Sequence, residues 1–154
     1  MAQFQLGSIS TGTLRTEDLR HAFANTLEAL EVGMPPTPAG EPRWLNLVEE
    51  ARDDKFYADQ DDQSVIEDLS DALNKFCPPF VYFGTLEGDG ADFGFWADFD
   101  AIDESCARKH HRCTHNPDTG EIVLEDESVI VHVSRVYGDV TVMDMERNVL
   151  WSVT

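Results

Sequence analysis

Apolar residues recur every three or four positions in the first half of the chain and every two in the second. Behind Thr16, Leu19, Ala22, Phe23, Leu27 and Leu30 keep helical spacing. Thr16 reads as the N-cap, with Glu17 and Asp18 at the positive helix end. Gly33 and the proline-rich residues 35–40 end this helix and form a stiff connector. Pro42 opens a second helix through Trp44, Leu45, Leu47, Val48 and Ala51. A third begins near Asp62, buries Val65, Ile66, Leu69, Leu73 and Phe76, and stops before Pro78-Pro79.

The period then changes to two. Residues 80–86 and 91–97, joined by Glu87-Gly88-Asp89-Gly90, predict a β-hairpin. A four-residue turn sets Leu86 opposite Ala91, Gly84 beneath Phe93 and Gly94 beneath Phe83. In that register Tyr82 shares one face with Phe95, and Phe83 shares the other with Trp96. Residues 98–107 read as a short helix and 115–120 as a loop. Strands follow at 121–125, 128–136, 140–144 and 148–153, with Gly138-Asp139 as a tight turn. The expected fold is α+β and a single domain over 1–154. Its N-terminal helices pack on an antiparallel sheet made of the hairpin and a C-terminal meander.

Charge changes the picture. Thirty Asp and Glu stand against eleven Lys and Arg, a net charge of −19. Duplex DNA carries one charge per ~1.7 Å of axis, so this charge matches roughly 32 Å of duplex. The acid is blocked rather than spread. From Glu49 to Asp71 lie ten acids, among them Asp59, Asp61, Asp62, Glu67, Asp68 and Asp71, and two bases, Arg52 and Lys55. From Glu87 to Glu104 lie seven acids and no base: Glu87, Asp89, Asp92, Asp98, Asp100, Asp103 and Glu104. Like charges at helical spacing repel, so such blocks suit a surface that faces cations. Direct binding to nucleic acid or an anionic membrane is disfavoured, and cationic protein partners are favoured. The same acid, with only three lysines, also fits a salt-adapted soluble domain that has no such partner.

One segment reverses the pattern. Cys106-Ala107-Arg108-Lys109-His110-His111-Arg112-Cys113-Thr114-His115 gathers two of the three cysteines and three of the five histidines. Cys106, His110, Cys113 and His115 form a candidate zinc set, although no paired Cys-x-x-Cys knuckle is present. The alternative is a basic loop that offsets the acid. The acidic runs 59–64 and 98–103 lack the glycine of a calcium-binding EF-hand loop. No phosphate-binding loop, nucleophile elbow or metalloprotease helix occurs, so the expectation is a non-enzyme with no required cofactor. Three irregularly placed cysteines, no charged-then-apolar leader and no apolar run of membrane length point to the cytoplasm.

The string Tyr82-Phe83-Gly84-Thr85-Leu86-Glu87-Gly88-Asp89-Gly90-Ala91-Asp92-Phe93-Gly94-Phe95-Trp96, with the closing Val149-Leu150-Trp151-Ser152-Val153, resembles uncharacterised small acidic proteins of phages and prophages. The resemblance covers about a third of the chain and implies a mobile-element origin without implying an activity. Together the features suggest an inhibitor that imitates nucleic-acid charge to block a basic DNA- or RNA-binding protein of the host, such as a defence nuclease. The acids of the two blocks would replace phosphates, and Trp96 would add short-range fit.

Overall fold

The computed structural model describes residues 4–33, 44–107, 112–116, 118, 121–125, 129–134 and 139–153. The proline connector, Pro42 and His110 lie outside these residues. The fold is α+β. Strand β1 (Gly7–Ser10) precedes helices α1 (Thr16–Val32), α2 (Leu45–Ala51), α3 (Asp54–Tyr57) and α4 (Gln63–Phe76). The hairpin β2 (Val81–Leu86) and β3 (Asp89–Ala97) leads to α5 (Phe99–Ala107). Strands β4 (Arg112–His115), β5 (Glu121–Glu125), β6 (Val129–Ser134), β7 (Asp139–Asp144) and β8 (Val149–Val153) follow. No helix among the described residues is long and apolar enough to cross a membrane.

The described residues fall into two compact units. A helical unit comprises Ser8–Cys77 and Phe83–Phe95. A sheet unit comprises the described residues up to Gly7, Pro78–Tyr82, and those from Trp96 onward.

In the helical unit, α1 buries Leu19, Phe23, Ala24 and Leu27, and α4 buries Val65, Ile66, Leu69, Ala72 and Leu73. Leu19, Phe23 and Leu27 on α1 and Val65, Ile66, Leu69 and Leu73 on α4 follow the helical spacing, whereas Ala22, Leu30 and Phe76, expected with them, are half-buried. Phe23 is fully buried; its ring meets Phe83 edge-on at 4.9 Å and Phe93 at 5.4 Å. The helix α1 starts one residue earlier than a Thr16 cap implies, because Arg15 occupies the cap position without a side-chain bond. Thr13 supplies the local order instead: its hydroxyl accepts from the Arg15 N–H at 3.1 Å and donates to Asp18 at 2.8 Å.

The hairpin departs from the expected register. Its turn is two residues long, Glu87-Gly88, and Gly88 adopts φ +86°, a conformation glycine takes without steric cost. Phe80, at φ +62°, lies before the strand rather than in it. The rings of Phe83 and Phe95 stand 5.2 Å apart, so these residues share a face that the four-residue turn would have divided.

The sheet unit contains the five-stranded meander β4-β5-β6-β7-β8, every pairing antiparallel. The hairpin belongs to a separate three-stranded sheet of order β1-β3-β2. In the meander, Cys113 faces Leu124, Leu124 faces Val131, Val131 faces Val142, and Val142 faces Trp151. Opposed residues share a face, and the last four are wholly buried. Trp151 also donates its indole N–H to the Pro79 carbonyl at 2.8 Å. A bulge at Val142/Met143 leaves Leu150 without an opposite residue, and the Leu150 carbonyl accepts from the Phe4 N–H at 2.8 Å.

Candidate acidic interaction surface

The first acid block sits in the helical unit, on α4 and the segment before it. Asp59, Asp61, Glu67, Asp68 and Asp71 are all exposed. Among the described residues no ion pair reaches any of these five. Asp61 accepts from the Gln63 N–H at 3.0 Å, and Glu67 accepts from the Gln63 side chain at 3.1 Å. Lys75, the one base on α4, places its ammonium 4.9 Å from the centre of the Trp44 ring. The carboxylates of α4 therefore face solvent with no cation from the described residues held among them.

Asp62 is different, and here the sequence expectation needs correction. Its carboxylate accepts from the Nε of Arg20 at 3.0 Å, and its side chain is only 13% exposed. Arg20 itself is 2% exposed. The same guanidinium reaches Asp54 at 3.0 Å, donates to the Ala51 carbonyl, and lies 4.5 Å from the centre of the Tyr57 ring. Asp62 thus serves the interior and is unavailable to a partner. Charge counting within a window missed Arg20, which lies outside the block. The available signal was its position on the buried stripe, three, four and seven residues before Phe23, Ala24 and Leu27.

Ion pairs also shift the titration of two carboxylates of the helical unit. Hydrogen bonds from His21 and then Arg20 hold the Asp54 carboxyl below its usual range, and Arg52 does the same to Glu28. In the sheet unit, hydrogen bonds from Asn148 lower Asp144. Each contributes stability above the ordinary carboxylate pKa that is lost as pH falls through its lowered value. Tyr57 acts at the other end. Burial, then its hydrogen bond to Glu50, push its hydroxyl up to about 12. The folded state therefore holds this proton more tightly than the unfolded chain, whose tyrosine titrates near ~10. That contribution is complete below pH ~10 and disappears as pH rises toward 12. In urea unfolding across this window, Tyr57→Phe should lose less stability with rising pH than the unsubstituted chain. Parallel losses would show that Tyr57 does not carry the effect.

The second acid block is divided between the units. In the helical unit Glu87 and Asp89 are exposed at the hairpin turn, and Asp89 accepts from the Ala91 N–H at 3.0 Å. Asp92 is half-buried, and its Oδ1 is buried without a hydrogen-bond partner among the described residues. In the sheet unit Asp98 accepts from the Ala101 N–H at 2.9 Å and so caps α5. Asp100, Asp103 and Glu104 are exposed on that helix. Trp96 is half-buried in β3, and it engages other groups rather than standing free.

The cysteine–histidine segment forms structure that spacing did not suggest. Cys106 at the end of α5 and Cys113 in β4 are joined by a disulfide, their Cα atoms 5.5 Å apart. Sulfurs bonded to each other are not thiolate ligands, so Cys106 and Cys113 do not serve the expected set of Cys106, His110, Cys113 and His115 in this state, and His110 lies outside the described residues. No group of three or more metal-ligating side chains occurs among the described residues. Residues 112–115, expected to be loop, pair with β5 as an edge strand, and the bridge fastens that edge to α5. A loop this short gives about 2–3 kcal/mol by loop-closure entropy. Reductant should lower the unfolding free energy by that amount, and a Cys106→Ser/Cys113→Ser variant should show no further response to reductant. Cys77, the free cysteine, is partly buried, and burial pushes its thiol up to about 11.

Comparison with protein-family models, curated proteins and solved structures gives no match.

Proposed function

We propose that this chain is a non-enzymatic acidic interaction protein that occupies a basic nucleic-acid-binding groove on another protein. The observation that carries this reading is the set of five exposed carboxylates at Asp59, Asp61, Glu67, Asp68 and Asp71, none paired with a cation among the described residues. In isolation such a set repels itself, and it becomes favourable when Lys and Arg of a partner approach. Asp100, Asp103 and Glu104 on α5 extend the same chemistry in the sheet unit. The phage-like hairpin string suggests a host defence nuclease or a repair enzyme as the kind of target. Carboxylates would stand where phosphates lie, and long-range attraction would speed association.

Affinity capture from a host lysate at low salt, eluted by a salt gradient, tests this reading. Nucleic-acid-binding proteins should elute with rising salt, and duplex DNA should compete with the immobilised chain for them. A Glu67→Gln/Asp68→Asn/Asp71→Asn variant should bind about tenfold more weakly, since an exposed ion pair contributes about 0.2–1 kcal/mol. Binding that is indifferent to salt and to this variant would rule the mechanism out.

A further inference from the structure

The acid surface of the helical unit is interrupted by an apolar groove of about 380 Å³. Leu14, Leu19, Ile66 and Phe93 supply its apolar wall, and Glu67 and Asp71 stand at its acidic edge. Neither Lys nor Arg is among the described residues that line it. Leu14 is 65% exposed, an unusual position for a leucine beside so much charge, whereas Leu19 and Ile66 are buried and give the groove a fixed floor. Glu67 and Asp71 are four residues apart on α4, so they project from one side of that helix.

This arrangement selects its occupant. A purely apolar ligand would leave two carboxylates to be desolvated without compensation. A purely cationic one would leave the leucine, isoleucine and phenylalanine surface in contact with water. A second copy of this chain would bring another net charge of −19 against the first. We propose that the groove receives a large apolar side chain flanked by Lys or Arg on a basic protein partner, with Glu67 and Asp71 pairing the flanking cations. This rests on the reading of the chain as an acidic interaction protein and supplies the short-range anchor which that reading assigned to Trp96. Charge gives attraction that varies smoothly with position, while a filled apolar groove fixes one register.

Two probes separate anchor from charge: a capped oligolysine with one central tryptophan, and the same oligolysine without it. Titration calorimetry at low salt should find the tryptophan peptide about tenfold tighter, corresponding to ~1.4 kcal/mol. Its amide shift changes should centre on Leu14, Ile66 and Phe93. Ser70→Trp, which fills the groove from α4, should abolish the preference while leaving oligolysine binding intact. Leu14→Ser, at an exposed position where folding is not at stake, should reduce the preference severalfold. Equal affinity for the two peptides overturns the groove proposal alone. Failure of both to bind overturns the charge reading as well. Concentration-dependent dimerisation that Leu14→Ser removes would assign the groove to a second copy and also overturn it.

Discussion

Arg20→Ala is expected to destabilise the helical unit by about 3–5 kcal/mol, the range for breaking a buried ion pair by removing one member. The guanidinium is 2% exposed and bonds to Asp62, Asp54 and the Ala51 carbonyl, so one side chain ties α1 to the end of α2, to α3 and to the start of α4. Its loss does more than delete hydrogen bonds. Asp62, only 13% exposed, would remain as an uncompensated charge, and the Ala51 carbonyl would lose its donor. Asp54, 53% exposed, can recover solvation and contributes less. Arg20→Met, which restores apolar bulk without charge, should remain nearly as destabilised. Arg20→Met/Asp62→Asn should recover part of the loss, because the stranded charge has gone. Urea midpoints at constant denaturant slope measure all three. A cost below about 1 kcal/mol for Arg20→Ala would mean that the arginine is not held as described.

Trp151→Ala is expected to cost about 3–5 kcal/mol, in this case in the sheet unit. The indole is wholly buried at the end of the row from Leu124 through Val131 and Val142, and no polar side chain interrupts those positions. Removing it opens a large cavity on a rigid sheet whose backbone hydrogen bonds resist collapse. Trp151→Phe separates two parts of this cost. It keeps most of the apolar volume but leaves the Pro79 carbonyl without its donor, a loss of about 1–3 kcal/mol. Near-ultraviolet circular dichroism and urea unfolding would report both variants. If the phenylalanine variant were as unstable as the alanine variant, the hydrogen bond and not the packing would dominate.

Elements with a long period were legible in the sequence. The α4 stripe and strands β5 to β8 follow their apolar spacing, and β5 has the expected bounds Glu121–Glu125. The short elements were not. Gly7-Ser8-Ile9-Ser10 offers one large apolar residue and no alternation, so β1 gives no signal before its partner strand is known. The single turn of α3 depends on Asp53 accepting from the Phe56 N–H, a local cap with no apolar stripe behind it. Arg112-Cys113-Thr114-His115 carries no large aliphatic or aromatic residue at alternate positions, so this edge strand gives no signal before its pairing with β5. At the candidate surface, exposure of Glu67, Asp68 and Asp71 follows from the helical spacing of their apolar neighbours. The inward turn of Asp62 does not, because its partner Arg20 lies 42 residues away in sequence.

The meander has a consequence for how the chain reaches its native state. Every strand from β4 to β8 pairs with its neighbour in sequence, so each pairing closes only a short loop and the sheet can grow one hairpin at a time. Each stage of that growth exposes an unpaired edge bearing Val, Ile or Leu, a template on which another chain could add. The electrostatic repulsion between two chains that each carry −19 is present before any tertiary structure forms. The acid exposed on the folded protein thereby also keeps nascent copies apart while their edges are open.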